Sequence, residues 1–333
     1  MRLVWGAVFA AVVVGCRPTS APGSSHAALP STSPSTSTST SPTATSLSTS
    51  TTTATSPATS DEDTVARPAP YDLPSDREQK IAQAKRELGT GASIAIVDDV
   101  FVLVGAPGWN GAALKASVKL VEQAVAAYQH DRFARGPSQA IAVYLFATAD
   151  PYRRFCRASL HEECISPFGF YLSDERRMIM NAGPGLGTLT HELVHPFVEA
   201  DFPEAPIWIN EGVASLYEAP VIPRDGEIRG VKNWRLPRLV KALSSQTERD
   251  GASLDKLFRM PDDAFRSDHE DLHYAMARYA CQWLDDKKQL WPFYHRWRDS
   301  FALDPTGEKA FREVTGSAPA EASAAWTRWV KAL

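Results

Sequence analysis

A long stretch with no charge and little apolar surface limits what the rest of this chain can build. Residues 18–60 contain no Asp, Glu, Lys or Arg, and 23 of the 30 residues from 31 to 60 are Ser or Thr. Such a segment lacks the apolar side chains needed to offset the entropy of ordering it, so it is expected to be disordered. Of the 333 residues, this leaves 71–333 for a folded domain with a substantial core. The charge balance, 35 Lys and Arg against 39 Asp and Glu, provides no basic face and argues against a nucleic-acid partner. No apolar run reaches the ~18–20 residues that span a bilayer.

Residues 1–15 read as an export signal. Arg2 supplies a positive charge and residues 3–14 an apolar run too short for a membrane helix. The run ends in Val13-Val14-Gly15-Cys16, which resembles the lipobox of bacterial lipoproteins. That resemblance implies cleavage before Cys16, a lipid on Cys16, and a place in the bacterial cell envelope, on the periplasmic side or the cell surface. Residues 16–70 then form a tether with a reach of ~40 Å as a flexible coil. An ordinary secretory signal with an incidental cysteine is the alternative. With Cys16 lipidated, Cys156 and Cys164, in one loop, are expected to pair, leaving Cys281 as a buried thiol on an apolar helix face. No CxxC spacing occurs, so zinc ligation by cysteine is not expected.

Along the domain, residues 92–105 read as two strands around a turn at Asp98-Asp99, and 140–147 as another strand. Between them, Leu114, Val118, Val121, Val125 and Tyr128 trace one stripe of a helix over 111–133. A capped helix is expected at 150–160 with Pro151 in its first position. Residues 168–171 and 177–181 look like hairpin strands, the second a candidate for pairing with an extended substrate. Helices are expected at 188–201, 211–218, 233–244, 270–287, 290–301, 307–314 and 320–332. The fold class is therefore α+β: a mixed α/β sheet half (71–187) packed on a mostly helical half (188–333).

The helical half opens with His191-Glu192-Leu193-Val194-His195, an HExxH motif. Residues i and i+4 share one face of a helix, so His191 and His195 can hold one metal ion while Glu192 reaches a nearby water. Chance yields such a pattern in on the order of 1% of chains, so the motif needs a third ligand to carry an argument. Glu211 follows, in WINEGVASLYE. Glu211, Ala214, Ser215 and Glu218 fall on one helical face, where small residues permit close approach of another helix. Glu211 could complete the metal site, and Glu218 could accept a hydrogen bond from the far nitrogen of a ligating histidine.

HELVH followed by WINEGVASLYE resembles the gluzincin zinc metallopeptidases, and the preceding hairpin places the closest likeness in the peptidase MA-like domains. The resemblance is clearest over 167–218. It implies a zincin-like fold, a zinc (Zn2+) ion on His191, His195 and Glu211, Glu192 as general base, and a peptide or protein substrate cleaved internally. It also matches HYAMARY at 273–279, where Tyr274 inherits the role of stabilising the oxyanion, with His273 or His269 as substitutes.

Three features depart from that pattern. Pro196 removes a hydrogen bond to the Glu192 carbonyl and is expected to kink the helix. The spacing from His195 to Glu211 is shorter than in aminopeptidase N relatives, and their GAMEN segment, which holds a free amine, is missing. Asp201 stands where another zincin group places its third ligand, but Val198 replaces the glycine that turn requires. Two rival functions are a zinc-holding envelope protein and a glycan- or protein-binding lipoprotein. The second would use Trp291, Tyr294, Trp297, Trp326 and Trp329. The i, i+4, i+8 spacing of Phe293, Trp297 and Phe301 instead predicts core packing. The sequence carries no signal for an oligomeric state.

Overall fold

The computed structural model describes residues 71–109 and 111–333. The expected signal, Cys16 and the tether lie outside the described residues. The first half comprises α1 (Leu73–Leu88), β1 (Ser93–Val97), β2 (Phe101–Gly105), α2 (Gly111–Gln129), β3 (Ile141–Phe146), α3 (Ala149–Ser159), β4 (Gly169–Leu172) and β5 (Arg177–Asn181). The second is helical: α4 (Gly187–Glu192), α5 (Val194–Asp201), α6 (Ile207–Leu216), α7 (Leu236–Ser244), α8 (Leu254–Phe258), α9 (Asp262–Phe265), α10 (Glu270–Asp286), α11 (Leu290–Ser300), α12 (Glu308–Thr315) and α13 (Pro319–Ala332). Among the described residues no helix is long and apolar enough to cross a membrane.

The strands form one mixed sheet in the order β1-β2-β3-β5-β4. Parallel pairing joins β2, β3 and β5, and β1 and β4 flank them antiparallel. The three inner strands are buried along their length because both faces of the sheet are covered. Alternation sorts their side chains. Leu103, Val143 and Met178 share a core with Val121 and Tyr128 of α2 and with the helical half. Val102, Tyr144 and Ile179 face the opposite way, onto Ala84 of α1 and Phe155 of α3. The three-residue turn 98–100 between β1 and β2 puts Asp98 and Asp99 at φ 51° and 55°, the left-handed region that Asp tolerates better than most residues.

Several expectations need correction. Strand β5 is interior, hydrogen-bonded to β3 on one side and β4 on the other, so it has no free edge for a substrate. Helix α1 was not expected from the sequence: Ile81, Ala84 and Leu88 pack on the sheet, but only Ala84 is buried and charged and polar side chains fill most of the helix. Asp72 caps it by accepting a hydrogen bond from the Ser75 N–H at 3.3 Å. Helix α3 starts at Ala149, which puts Pro151 third, still within the turn where its missing N–H costs nothing. Helix α6 begins at Ile207, four residues before the expected start.

The helical half is organised around α6 and α10. Trp208, at the start of α6, is fully buried, its ring 4.6 Å from Phe258 and 5.5 Å from Trp297. Tyr294, Trp297 and Trp326 are also fully buried, and Trp291 and Trp329 are partly buried against the same core. These rings are packing residues. Cys156 and Cys164 form a disulfide that closes the end of α3, and Cys281 is a free, buried thiol on α10.

Candidate metal centre

Pro196 breaks the motif helix where its N–H is missing: α4 ends at Glu192 and α5 begins at Val194. Leu193 between them keeps helical dihedrals, φ −64° and ψ −22°, so the two histidines stay one turn apart. Their ring centroids are 5.2 Å apart. One ligand atom from each of His191, Glu192 and His195 lies within 4.8 Å of the others. His191 and Glu192 are buried and His195 nearly so. Helix α4 is held from two sides. The Tyr128 hydroxyl donates to the Thr190 carbonyl at 2.7 Å, and the Thr190 hydroxyl donates to the Tyr217 carbonyl, just past α6, at 2.7 Å.

Close packing of α6 on α10 presents Glu211 to this cluster. A Cβ at Gly212 would lie 2.7 Å from the Cys281 Sγ and 2.9 Å from the Ala277 carbonyl oxygen, so only glycine permits the approach. Glu211 Oε2 then sits 3.4 Å from His191 Nε2. That oxygen is buried and accepts no hydrogen bond, whereas Oε1 accepts one from Arg266 at 2.9 Å.

The electrostatics follow from burying Glu192 and Glu211 beside two imidazoles, with Glu218 near enough to act through its charge. Burial pushes the Glu192 carboxyl up, and the charges of Glu211 and Glu218 add to this against the pull of both histidines. Burial also opposes ionisation of Glu211, but its contacts with His191, His195 and Arg266 outweigh that and hold it at about 2. Burial disfavours a charged His191, yet Glu211, Glu192 and Glu218 together raise it. Arg266 is the fixed cation that meets Glu211, through Oε1, while Oε2 faces His191. His191, Glu192 and His195 are the close group that could hold a divalent metal ion, and the Glu211 oxygen without a hydrogen-bond donor approaches it beside His191.

Tyr274, on α10, reaches the same place. Its hydroxyl accepts a hydrogen bond from Arg266 at 3.3 Å, and burial with the nearby Glu211 charge raises its pKa. His273 is turned away, its Nδ1–H donating to the Phe265 carbonyl at 2.9 Å. Glu218 does not take the place expected of it. Its carboxylate pairs with Arg235 and accepts from Asn233 at 3.4 Å, while His191 Nδ1 is buried without a partner. Asp201 is no ligand either: fully buried, it receives two hydrogen bonds from Arg298, both 2.8 Å, and one from the Arg135 N–H at 3.0 Å.

Two residues escaped the sequence reading. Asn210 Oδ1 accepts from His195 Nδ1–H at 2.8 Å, the role anticipated for Glu218, and its place beside Glu211 in the motif was the available signal. Arg266 had no signal, since it comes from a loop outside every motif. A cleft of about 820 Å³ bordered by Arg132, Glu227, Asp285 and Trp291 includes none of these site residues. No protein-family model and no curated protein matches this chain.

Proposed function

We propose that the chain is a lipid-anchored, zinc-dependent peptidase of zincin-like fold, with gluzincin-type ligands His191, His195 and Glu211. The observation that carries this reading is the convergence of HExxH and the NEG segment: Glu211 Oε2, without a hydrogen bond, lies 3.4 Å from Nε2 of His191. A bound zinc ion would supply Lewis acidity, polarising a peptide carbonyl and making a water easier to deprotonate.

The chain's own groups divide the remaining work. His195 donates through Nδ1 to Asn210, which leaves Nε2 with its lone pair free for a metal. Glu192, with its pKa raised by burial, accepts the proton of the attacking water and returns it to the departing amine. Tyr274 keeps its hydroxyl proton and donates a hydrogen bond to the oxygen on which negative charge develops. An extended substrate would add to β4, the sheet's outer strand on the side of α4. The lipobox-like residues before Cys16 support the anchor.

The test is metal content and cleavage of a mixed peptide library by wild type and Glu192→Gln. One zinc per chain in both, with cleavage by wild type alone, is the expected result. Absence of tightly bound metal in wild type would overturn the reading.

A further inference from the structure

Arg266 is rooted more firmly than its exposure suggests. It directly follows α9, a single turn that bridges the two helices of the site. At one end of α9, the Asp262 carboxylate accepts from the Ile207 N–H at 3.1 Å and so ties the turn to the start of α6. At the other, Phe265 is fully buried with its ring 5.1 Å from Tyr274, and its carbonyl accepts from His273 of α10. The Arg266 backbone is thereby fixed relative to both α6 and α10.

From that root the side chain, 54% exposed, reaches inward to a carboxylate that is 7% exposed. Nη2 donates to Glu211 Oε1 at 2.9 Å, and Nη1 donates to the Tyr274 hydroxyl at 3.3 Å and to Glu270 at 3.5 Å. The two nitrogens belong to one rigid plane, so the positions of Glu211 and Tyr274 are set together. Occupation of Oε1 leaves Oε2 as the one Glu211 oxygen turned to His191. A lysine would bring the charge without the fork.

We infer that Arg266 is a positioning residue of the metal centre, which holds Glu211 with Oε1 occupied and Oε2 turned to His191 and couples it to the Tyr274 hydroxyl. This rests on the metallopeptidase reading above. Arg266 touches neither the histidines nor the reacting atoms; it acts through Glu211 and Tyr274. Its partners include two carboxylates, which disfavours a role in recognising an anionic substrate.

The test uses the full chain with zinc alone, measured by competition with a chelator, and with cobalt, whose visible spectrum reports coordination geometry. Arg266→Ala and Arg266→Lys should each weaken zinc about 10–100-fold and alter the cobalt spectrum. In the peptide assay, kcat should fall more than KM rises. Thermal melts establish that both variants fold, and Arg266→Gln replaces any that does not. Zinc affinity within twofold of wild type, or tighter because Arg266 competes with the cation for Glu211, would overturn the inference and leave the peptidase reading standing. Failure of wild type itself to bind zinc would overturn both.

Discussion

The Nδ1–H of His195 donates to the Oδ1 of Asn210 across 2.8 Å, so the residue beside Glu211 orients a histidine fifteen positions earlier. This bond selects the tautomer in which His195 Nε2 is unprotonated, and it turns the ring toward the cluster. Asn210→Ala should therefore weaken zinc about 10–100-fold without unfolding the protein. Asn210→Asp, which keeps the acceptor, should retain most of the affinity. Chelator competition on the two variants checks this, and equal affinity in Asn210→Ala would remove Asn210 from the site.

Gly212 governs how close α6 comes to α10. An added methyl would meet the Cys281 sulfur at 2.7 Å and the backbone carbonyl of Ala277 at 2.9 Å. Gly212→Ala should cost about 1–3 kcal/mol in denaturant unfolding, because a backbone carbonyl cannot rotate away. Adding Cys281→Ala should restore only part of the loss. Zinc binding should weaken as well, since Glu211 moves with the helix.

Asp201 separates a structural ion pair from a metal ligand. It is fully buried and bound by Arg298, so Asp201→Ala takes the buried carboxylate from a cation that keeps only the exposed Asp299 beside it. A loss of about 3 kcal/mol in stability is expected, with zinc affinity in the folded variant unchanged. A large fall in affinity would instead make Asp201 part of the site.

Acid should loosen α1 through Asp76. Its carboxylate accepts from Arg176, from Tyr71, and from the Ala140 N–H at 3.1 Å, joining the helix to β3 and the β4–β5 turn. Burial raises its pKa, but the Arg176 and Tyr71 contacts and the Arg176 charge outweigh this and hold it below the ordinary 3.8. Because the folded pKa is the lower one, the stabilisation is fully present above about pH 4 and is lost as the pH falls through the folded value. The gap in urea midpoint between wild type and Asp76→Asn should therefore be wide at pH 6 and close toward pH 2. A gap independent of pH would sink this account.

Much of the frame was legible because it repeats a simple period. The runs ASIAIVDDVFVLVG and AIAVYLFA declared strands by apolar continuity, and α2 showed its stripe at helical spacing. Helix α1 stayed hidden since its apolar stripe is short, Ile81, Ala84 and Leu88, and charged contacts such as Arg176 to Asp76 complete its attachment to the sheet. The interior place of β5 was equally invisible: its apolar run fits an edge or a centre, and only the pairing with both β3 and β4 decides.

By itself the sequence determined the local chemistry: two histidines one turn apart, a carboxylate beside them, and a NEG segment on a second helix. Those relations are covalent or lie within one helical turn, so no neighbour can alter them much. Tertiary structure decided which partner each group takes. Glu218 turned to Arg235, Asp201 to Arg298, and Asn210 and Arg266 entered the site. A buried charge pairs with whichever opposite group the packing brings within about 3 Å, and that distance is set by helices meeting in space, not by separation along the chain.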